Sequence, residues 1–290
     1  MEDRWKTLAS RCETEPYCRE LGVSVDDLGE GRVRLRLPYH DKNSNPGQAL
    51  HGGVAASMID IAGRLAADTG FTGEGEASAI DVAVNYLAAA IGEEIFAEAR
   101  VLRRGKEITY AEVDVSTAAK KAIAKGLVTT RMVPKGLASR TFAGTGDPEG
   151  LAAADVAKGG KMMMKVPFIA RLGMRNERMQ DGTARVRMPF LDANGAAGGA
   201  VHEGALIALI DTSGAMASWS ITGLDFSFKA STVAVHANFA DEAVREDVVA
   251  LARTLRRKEE IFWNEVTVVG ASSKKLVAHG DVVYRIVVPA

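Results

Sequence analysis

The chain has 290 residues, of which 47% are hydrophobic and 25% charged, with a formal net charge of −1. These are the proportions of a soluble globular protein with room for one large or two modest domains, and the near-neutral balance argues against nucleic acid or an anionic membrane as partner. Two cysteines, Cys12 and Cys18, make neither a disulfide framework nor a metal site, so a cytoplasmic setting is expected and no metal.

Residues 2–20 begin the chain as a charged, mixed stretch that predicts a short helix, without the apolar core of a leader segment. No apolar run is expected to reach membrane-spanning length. The alternation Arg32-Val-Arg-Leu-Arg-Leu predicts a half-exposed strand, and a Pro/Asn/Gly-rich loop over 41–49 leads to His51. From Gly52 to Ala67 apolar residues fall on nearly every face, the pattern of a helix buried on most sides. A Gly-rich turn (70–75) precedes alternating segments near 78–87, 94–104, 107–118 and 121–133, which predict an antiparallel meander. Residues 135–165 carry few strand signals and read as a linker between an N-terminal unit (1–134) and a C-terminal one (166–290).

The second unit restates the first. His51-Gly52-Gly53 and Asp60 recur as His202-Glu203-Gly204 and Asp211 at a constant offset of 151 residues, together with Gly22/Gly173, Pro38/Pro189, Asn43/Asn194 and Gly63/Gly214. The offset grows to 153 where VLRRGKEITYAEVDV (101–115) lies over TLRRKEEIFWNEVTV (254–268), and to 154 at Gly126/Gly280. Such small steps are what duplication followed by loop drift leaves. One buried helix on five or six antiparallel strands leaves an edge and an apolar face to cover, and two copies cover each other. The expected architecture is therefore an intrachain pseudo-dimer with pseudo-twofold symmetry.

Asn45, followed by His51-Gly52-Gly53 and then Asp60 inside the helix, resembles the motif of the hotdog-fold acyl-CoA thioesterases, in particular their PaaI-like branch. The second half matches as His202, Gly204 and Asp211, but carries Ala196 in place of the Asn and Glu203 in place of the first Gly. The resemblance covers both halves and implies an α+β fold of two tandem hotdogs, each an antiparallel sheet wrapped around a central helix. It also implies hydrolysis of a small-to-medium or aromatic acyl-CoA, with coenzyme A as part of the substrate and no separate cofactor. The family commonly forms dimers of dimers, so the resemblance implies a homodimer of pseudo-dimers.

In that family each site lies across the dimer interface, which implies that Asn45, His51 and Gly52 work with Asp211 and a strand hydroxyl, Thr232 or its neighbour Ser231. Gly52 would offer a backbone N–H to the developing oxyanion, and Asp211 would attack the carbonyl or activate water. The other site would combine Ala196, His202, Glu203, Asp60 and Ala79. It lacks the amide, the glycine and the hydroxyl, and is expected to be degenerate. Simpler readings stand beside these: the two Asp residues as buried structural partners, and His51 and His202 as loop-fixing hydrogen-bond acceptors. Gly53 is a candidate substrate contact. Arg103, Arg104 and Lys106 read either as a solvated hairpin end or as contacts for the phosphates of coenzyme A. A non-catalytic acyl-CoA or acyl-ligand binding protein and a hydratase or dehydratase remain as alternative functions.

Overall fold

Pro16 divides the helix expected over 2–20 into α1 (Glu2–Thr14) and α2 (Pro16–Leu21), since proline offers no N–H to the preceding turn. In this computed structural model, which describes residues 2–71, 75–134 and 166–288, the first half continues as β1 (Ser24–Gly29), β2 (Arg32–Leu37), α3 (Gly52–Thr69), β3 (Gly75–Tyr86), β4 (Ile95–Arg104), β5 (Ile108–Thr117) and β6 (Ala122–Pro134). The second half repeats the order as α4 (Pro167–Arg171), β7 (Arg175–Gln180), β8 (Thr183–Met188), α5 (Glu203–Thr222), β9 (Lys229–Phe239), β10 (Val248–Lys258), β11 (Ile261–Gly270) and β12 (Leu276–Val287). The expected linker, 135–165, lies outside the described residues.

All the strands join one antiparallel sheet of 12, in the order β1-β2-β4-β5-β6-β3-β9-β12-β11-β10-β8-β7. The halves meet at β3 and β9, where Asp81 faces Asn238, Ala83 faces His236 and Asn85 faces Ala234. Exchanging each residue for its repeat counterpart maps this ladder onto itself about the Ala83–His236 pair, so the pseudo-twofold axis passes there. The outer edges, β1 and β7, are six residues each and carry charges such as Asp26, Asp27, Glu177 and Arg178, which discourages further strand addition.

Each half-sheet wraps its own helix, and the two helices pack on each other. A Cβ on Gly53 would lie 2.7 Å from Ala208, and one on Gly204 would lie 3.0 Å from Ser57, so the helices run antiparallel at close range. Gly63 and Gly214 recur for a related reason: a Cβ at either would lie 2.6 Å from Val128 or Val282 of the sheet beneath. Although Asp211, Thr212 and Ser213 interrupt its apolar run, α5 is long and apolar enough to cross a membrane by length and composition. Its most apolar window is 89% buried within the protein, because six strands and α3 surround it.

Candidate active site

Two turns of 3₁₀ helix, Asp41–Asn43 and Asp192–Asn194, bring the chain to His51 and His202, whose N–H groups donate to the carbonyls of Asn43 and Asn194, each at 3.0 Å. Each histidine then caps the helix that follows it. His51 Nδ1 accepts from Gly53 N–H at 3.0 Å, and His202 Nδ1 accepts from Gly204 N–H at 2.9 Å. Burial, with help from the Arg171 charge, pushes His51 down to about 4. The ring is therefore neutral near pH 7, with its proton on Nε2 and its other nitrogen already engaged. A loop-fixing role follows from that geometry, whereas a role as base does not.

The cap leaves Gly52 at the first helical position, with an N–H that has no acceptor among the described residues. Asp211 reaches this point from the third turn of α5: a Cβ on Gly52 would lie 3.1 Å from Asp211 Oδ2 and 3.4 Å from the Tyr86 ring. Thr232 Oγ1 donates to the other carboxylate oxygen, Oδ1, at 2.6 Å. It can do so because β9 bulges at Val233, next to Thr232, which re-aims the strand towards the helix. Burial raises Asp211 to about 6, with the Thr232 hydrogen bond working in the opposite direction. Tyr86 closes one side by donating to Gly52 O at 3.1 Å, and burial followed by the Asp211 charge keeps its hydroxyl well above its usual range.

These groups line one cavity of about 400 Å³ that also contains Asn45, Ser231, Thr212, Trp219 and Tyr284. The structure thus brings together Asn45, His51 and Gly52 from one half with Asp211 and Thr232 from the other. Gly53 is not part of the lining; its missing side chain serves the contact between helices, and its N–H is spent on His51. Arg103, Arg104 and Lys106 do not line the cavity either. Arg104 donates to Ala67 O at 2.9 Å, at the C-terminal end of α3. At about 1.5 Å per residue, the helix puts that end roughly 26 Å from Gly52.

The pseudo-equivalent region is filled. Asp60 is fully buried and pairs at 3.2 Å with Arg64, one turn on, and Arg64 also lies 3.7 Å from Glu203 and 2.8 Å from His202 Nε2. Burial raises Asp60 against the pull of Arg64. Burial also works against the guanidinium, but Asp60, Glu203 and Glu15 together hold it charged. Glu15 stands 3.5 Å from His202 and is lowered to about 2: His202 and Arg64 outweigh the opposing effect of burial. Tyr17 stacks on His202 with ring centres 4.7 Å apart and sets its hydroxyl 2.9 Å from Ser57 Oγ. Phe168 takes the matching place on His51, at 4.8 Å. Two groups here, Glu15/Cys18/His202 and Asp60/His202/Glu203, have ligand atoms within 4.8 Å of one another, as a metal site would require. Arg64 already supplies the positive charge among them.

Sequence reasoning missed Arg64, Glu15, Tyr17, Thr212, Trp219 and Tyr284. One available signal was the pairing of Arg64 with Ala215 in the repeat, a large charged residue opposite the smallest apolar one.

A family model described as the thioesterase superfamily matches residues 47–123. A Halobacterium salinarum protein provisionally named an esterase is 44% identical over 110 residues, which is 36% of this chain and 72% of that protein. Acyl-coenzyme A thioesterase 13 of Homo sapiens is 30% identical over 111 residues, covering 37% of this chain and 79% of that protein. Each of these matches spans about one repeat. Two solved structures match both halves at once. One, from Novosphingobium aromaticivorans and provisionally named a thioesterase, aligns with a TM-score of 0.65 at 13% identity over 91% of this chain and 98% of its own. The other, a protein of unknown function with a hot dog fold from Alicyclobacillus acidocaldarius, aligns with a TM-score of 0.57 at 12% identity over 92% and 97%.

Proposed function

Since the chain belongs to the thioesterase superfamily, we propose that it hydrolyses acyl-CoA thioesters, of small-to-medium or aromatic acyl groups, at a single site composed from both halves. One observation carries the reading: the Asp211 carboxylate sits beside the unfilled space and unspent N–H of Gly52, on the wall of a cavity.

In this reading the thioester carbonyl lies against the first turn of α3. Its oxygen receives the Gly52 N–H and gains the field of the helix N-terminus as negative charge develops. Asn45 lines the same wall and orients the carbonyl or the water. Asp211, held by Thr232, takes a proton from water as the water oxygen bonds to the carbonyl carbon. The C–S bond then breaks, coenzyme A leaves as a thiolate that takes up a proton, and the acyl group leaves as a carboxylic acid. An ordinary aspartate is too weak a base for this work; its rise to about 6 increases its basicity while leaving it mostly ionised near pH 7.

The region around Asp60, His202 and Glu203 is, in this proposal, a former site given over to structure. A homodimer of the pseudo-dimer remains part of the reading, supported by Leu102 and Tyr110, which stay exposed at the same positions as Leu255 and Trp263 in the repeat. The deciding experiment is thiol release from an acyl-CoA panel by the wild type, Asp211→Asn and Asp60→Asn. Turnover lost in Asp211→Asn alone supports the assignment. Turnover lost only in Asp60→Asn overturns it, and tight binding without thiol release by the wild type would make the chain an acyl-CoA binder.

A further inference from the structure

Beyond the groups assigned to the reaction, the cavity wall carries two polar groups with unspent hydrogen-bonding capacity. Thr212 is 2% exposed, and its Oγ1 has no hydrogen-bond partner. A threonine inside a helix ordinarily returns its hydroxyl to the carbonyl four residues back. Ser213 and Ser218, on the same helix, do this with Leu209 and Gly214. Tyr284 is 9% exposed; its hydroxyl accepts from Trp219 Nε1 at 3.3 Å, while its own proton has no acceptor among the described residues.

Leaving such groups unpaired in an apolar surround costs stability, so their retention calls for a partner. In the filled region the first has no polar counterpart, and the second is matched by a shorter hydroxyl that Thr109 O accepts from at 3.5 Å. Thr212 corresponds to Ile61, Trp219 to Asp68 and Tyr284 to Thr130. Asp68 is tied to Arg11 and to the Ala77 N–H. Both groups line the same cavity as Asp211 and Thr232, and Tyr284 faces Thr232 across the β9–β12 ladder, so an oxygen that meets them lies within the acyl end of that cavity.

We propose that these two hydroxyls form an oxygen-reading acyl subsite, and that the acyl groups it favours bear a hydroxyl or keto oxygen on one of the first carbons beyond the thioester. A keto oxygen would accept from Thr212 and Tyr284 together. A hydroxyl would accept from Tyr284 and donate to Thr212. Ala215, where the filled region carries Arg64, leaves the passage between Asp211 and Trp219 open, and Trp219 forms the far wall. This inference rests on the proposed acyl-CoA chemistry of the site.

The test compares kcat/KM for hexanoyl-CoA with its 3-hydroxy and 3-oxo counterparts in the wild type, Thr212→Val and Tyr284→Phe. The wild type should favour at least one oxygenated substrate by about tenfold, the worth of one or two neutral hydrogen bonds, and each variant should bring that ratio towards one. Thr212→Val should also raise Tm by about 3 °C, because it removes an unpaired buried hydroxyl. That combination separates a ligand-reading group from a structural one, whose removal would lower Tm. A wild-type ratio near one, or a preference unchanged in both variants, overturns the proposal.

Failure of the underlying reading is recognised separately. If no thioester is turned over, the same comparison is made as binding affinity, using non-hydrolysable thioether analogues of the three substrates and titration calorimetry. A tenfold preference lost in Thr212→Val then sustains the subsite without the hydrolase, and equal affinities overturn both.

Discussion

At equivalent places in the repeat, one region holds a cavity and the other a cluster of charges. Gly52 with its open N–H stands opposite Glu203, and Ala215 stands opposite Arg64. Val166, on the cavity wall, stands opposite Glu15, and Phe168 on His51 stands opposite Tyr17 on His202. The frame around them is shared: the same histidine cap, the same helix crossing and the same buried aspartate. The difference shows how a duplicated scaffold can divide its labour. In one copy the buried aspartate has only a threonine for company, which leaves it basic and the structure burdened. In the other, an arginine one turn away satisfies it, and the space a substrate would need is gone.

The comparison can be broken most directly at the two aspartates. Asp211→Asn should lower kcat/KM by about 10³-fold, the loss expected for a general base, while Asp60→Asn keeps turnover near wild type. Thiol-release assays of both variants well below their melting temperatures read this out.

Stability should respond in the opposite sense. Asp60→Asn takes the nearest carboxylate from the buried Arg64, leaving Glu203 and Glu15 to balance it, and should cost up to about 3 kcal/mol in denaturant unfolding. Asp211 binds its proton more tightly folded than unfolded, so its contribution to stability falls as pH rises from about 4 to about 6 and is flat above. The fall amounts to about 3 kcal/mol for a shift of this size. Asp211→Asn should therefore be inactive yet more stable than wild type at pH 7, with that difference vanishing near pH 4. Equal melting temperatures for wild type and Asp211→Asn at pH 7 would contradict this account of the carboxylate.

Gly52→Ala sets a methyl group 3.1 Å from Asp211 Oδ2, where the carbonyl must pass, and should cost about 10²-fold in kcat/KM, as a misplacement of about 1 Å does. The smallest effect is the pH profile itself. With Asp211 at about 6, kcat/KM should fall about tenfold per pH unit on the acid side of that value. A profile flat down to pH 5 would remove Asp211 as the base.

Much of this arrangement is legible in the sequence because duplication supplies an internal comparison. The fixed offset between His51 and His202 reveals the repeat, and the resemblance to the hotdog thioesterases, whose sites lie across the dimer interface, implies the grouping of Gly52, Asp211 and Thr232. Pro16 also announces its break in the first helix, although the reading of 2–20 as one short helix passes over it. What fills the second region is harder to see. Arg64 four residues after Asp60 reads as an ordinary helical ion pair, and only packing shows that it occupies the space Ala215 leaves open. Glu15 and Tyr17 lie far from His202 in the chain and arrive there through the exchange of α2 and α4 between halves. For the basic run at Arg103 the sequence shows the charge, and the length of α3 sets the end it reaches roughly 26 Å from Gly52.

The meeting of β3 with β9 at the centre of the sheet has an evolutionary consequence. Each half contributes to a cavity wall that it cannot complete by itself. A pair of first halves would set Gly52 against Asp60 without a hydroxyl at position 79, and a pair of second halves would set Asp211 against Glu203. Neither half could be released as a separate gene and recover a full complement of groups by self-association. With Thr232 on one side and Asn45 on the other, the groups on the cavity wall are assembled only when both halves lie in one chain.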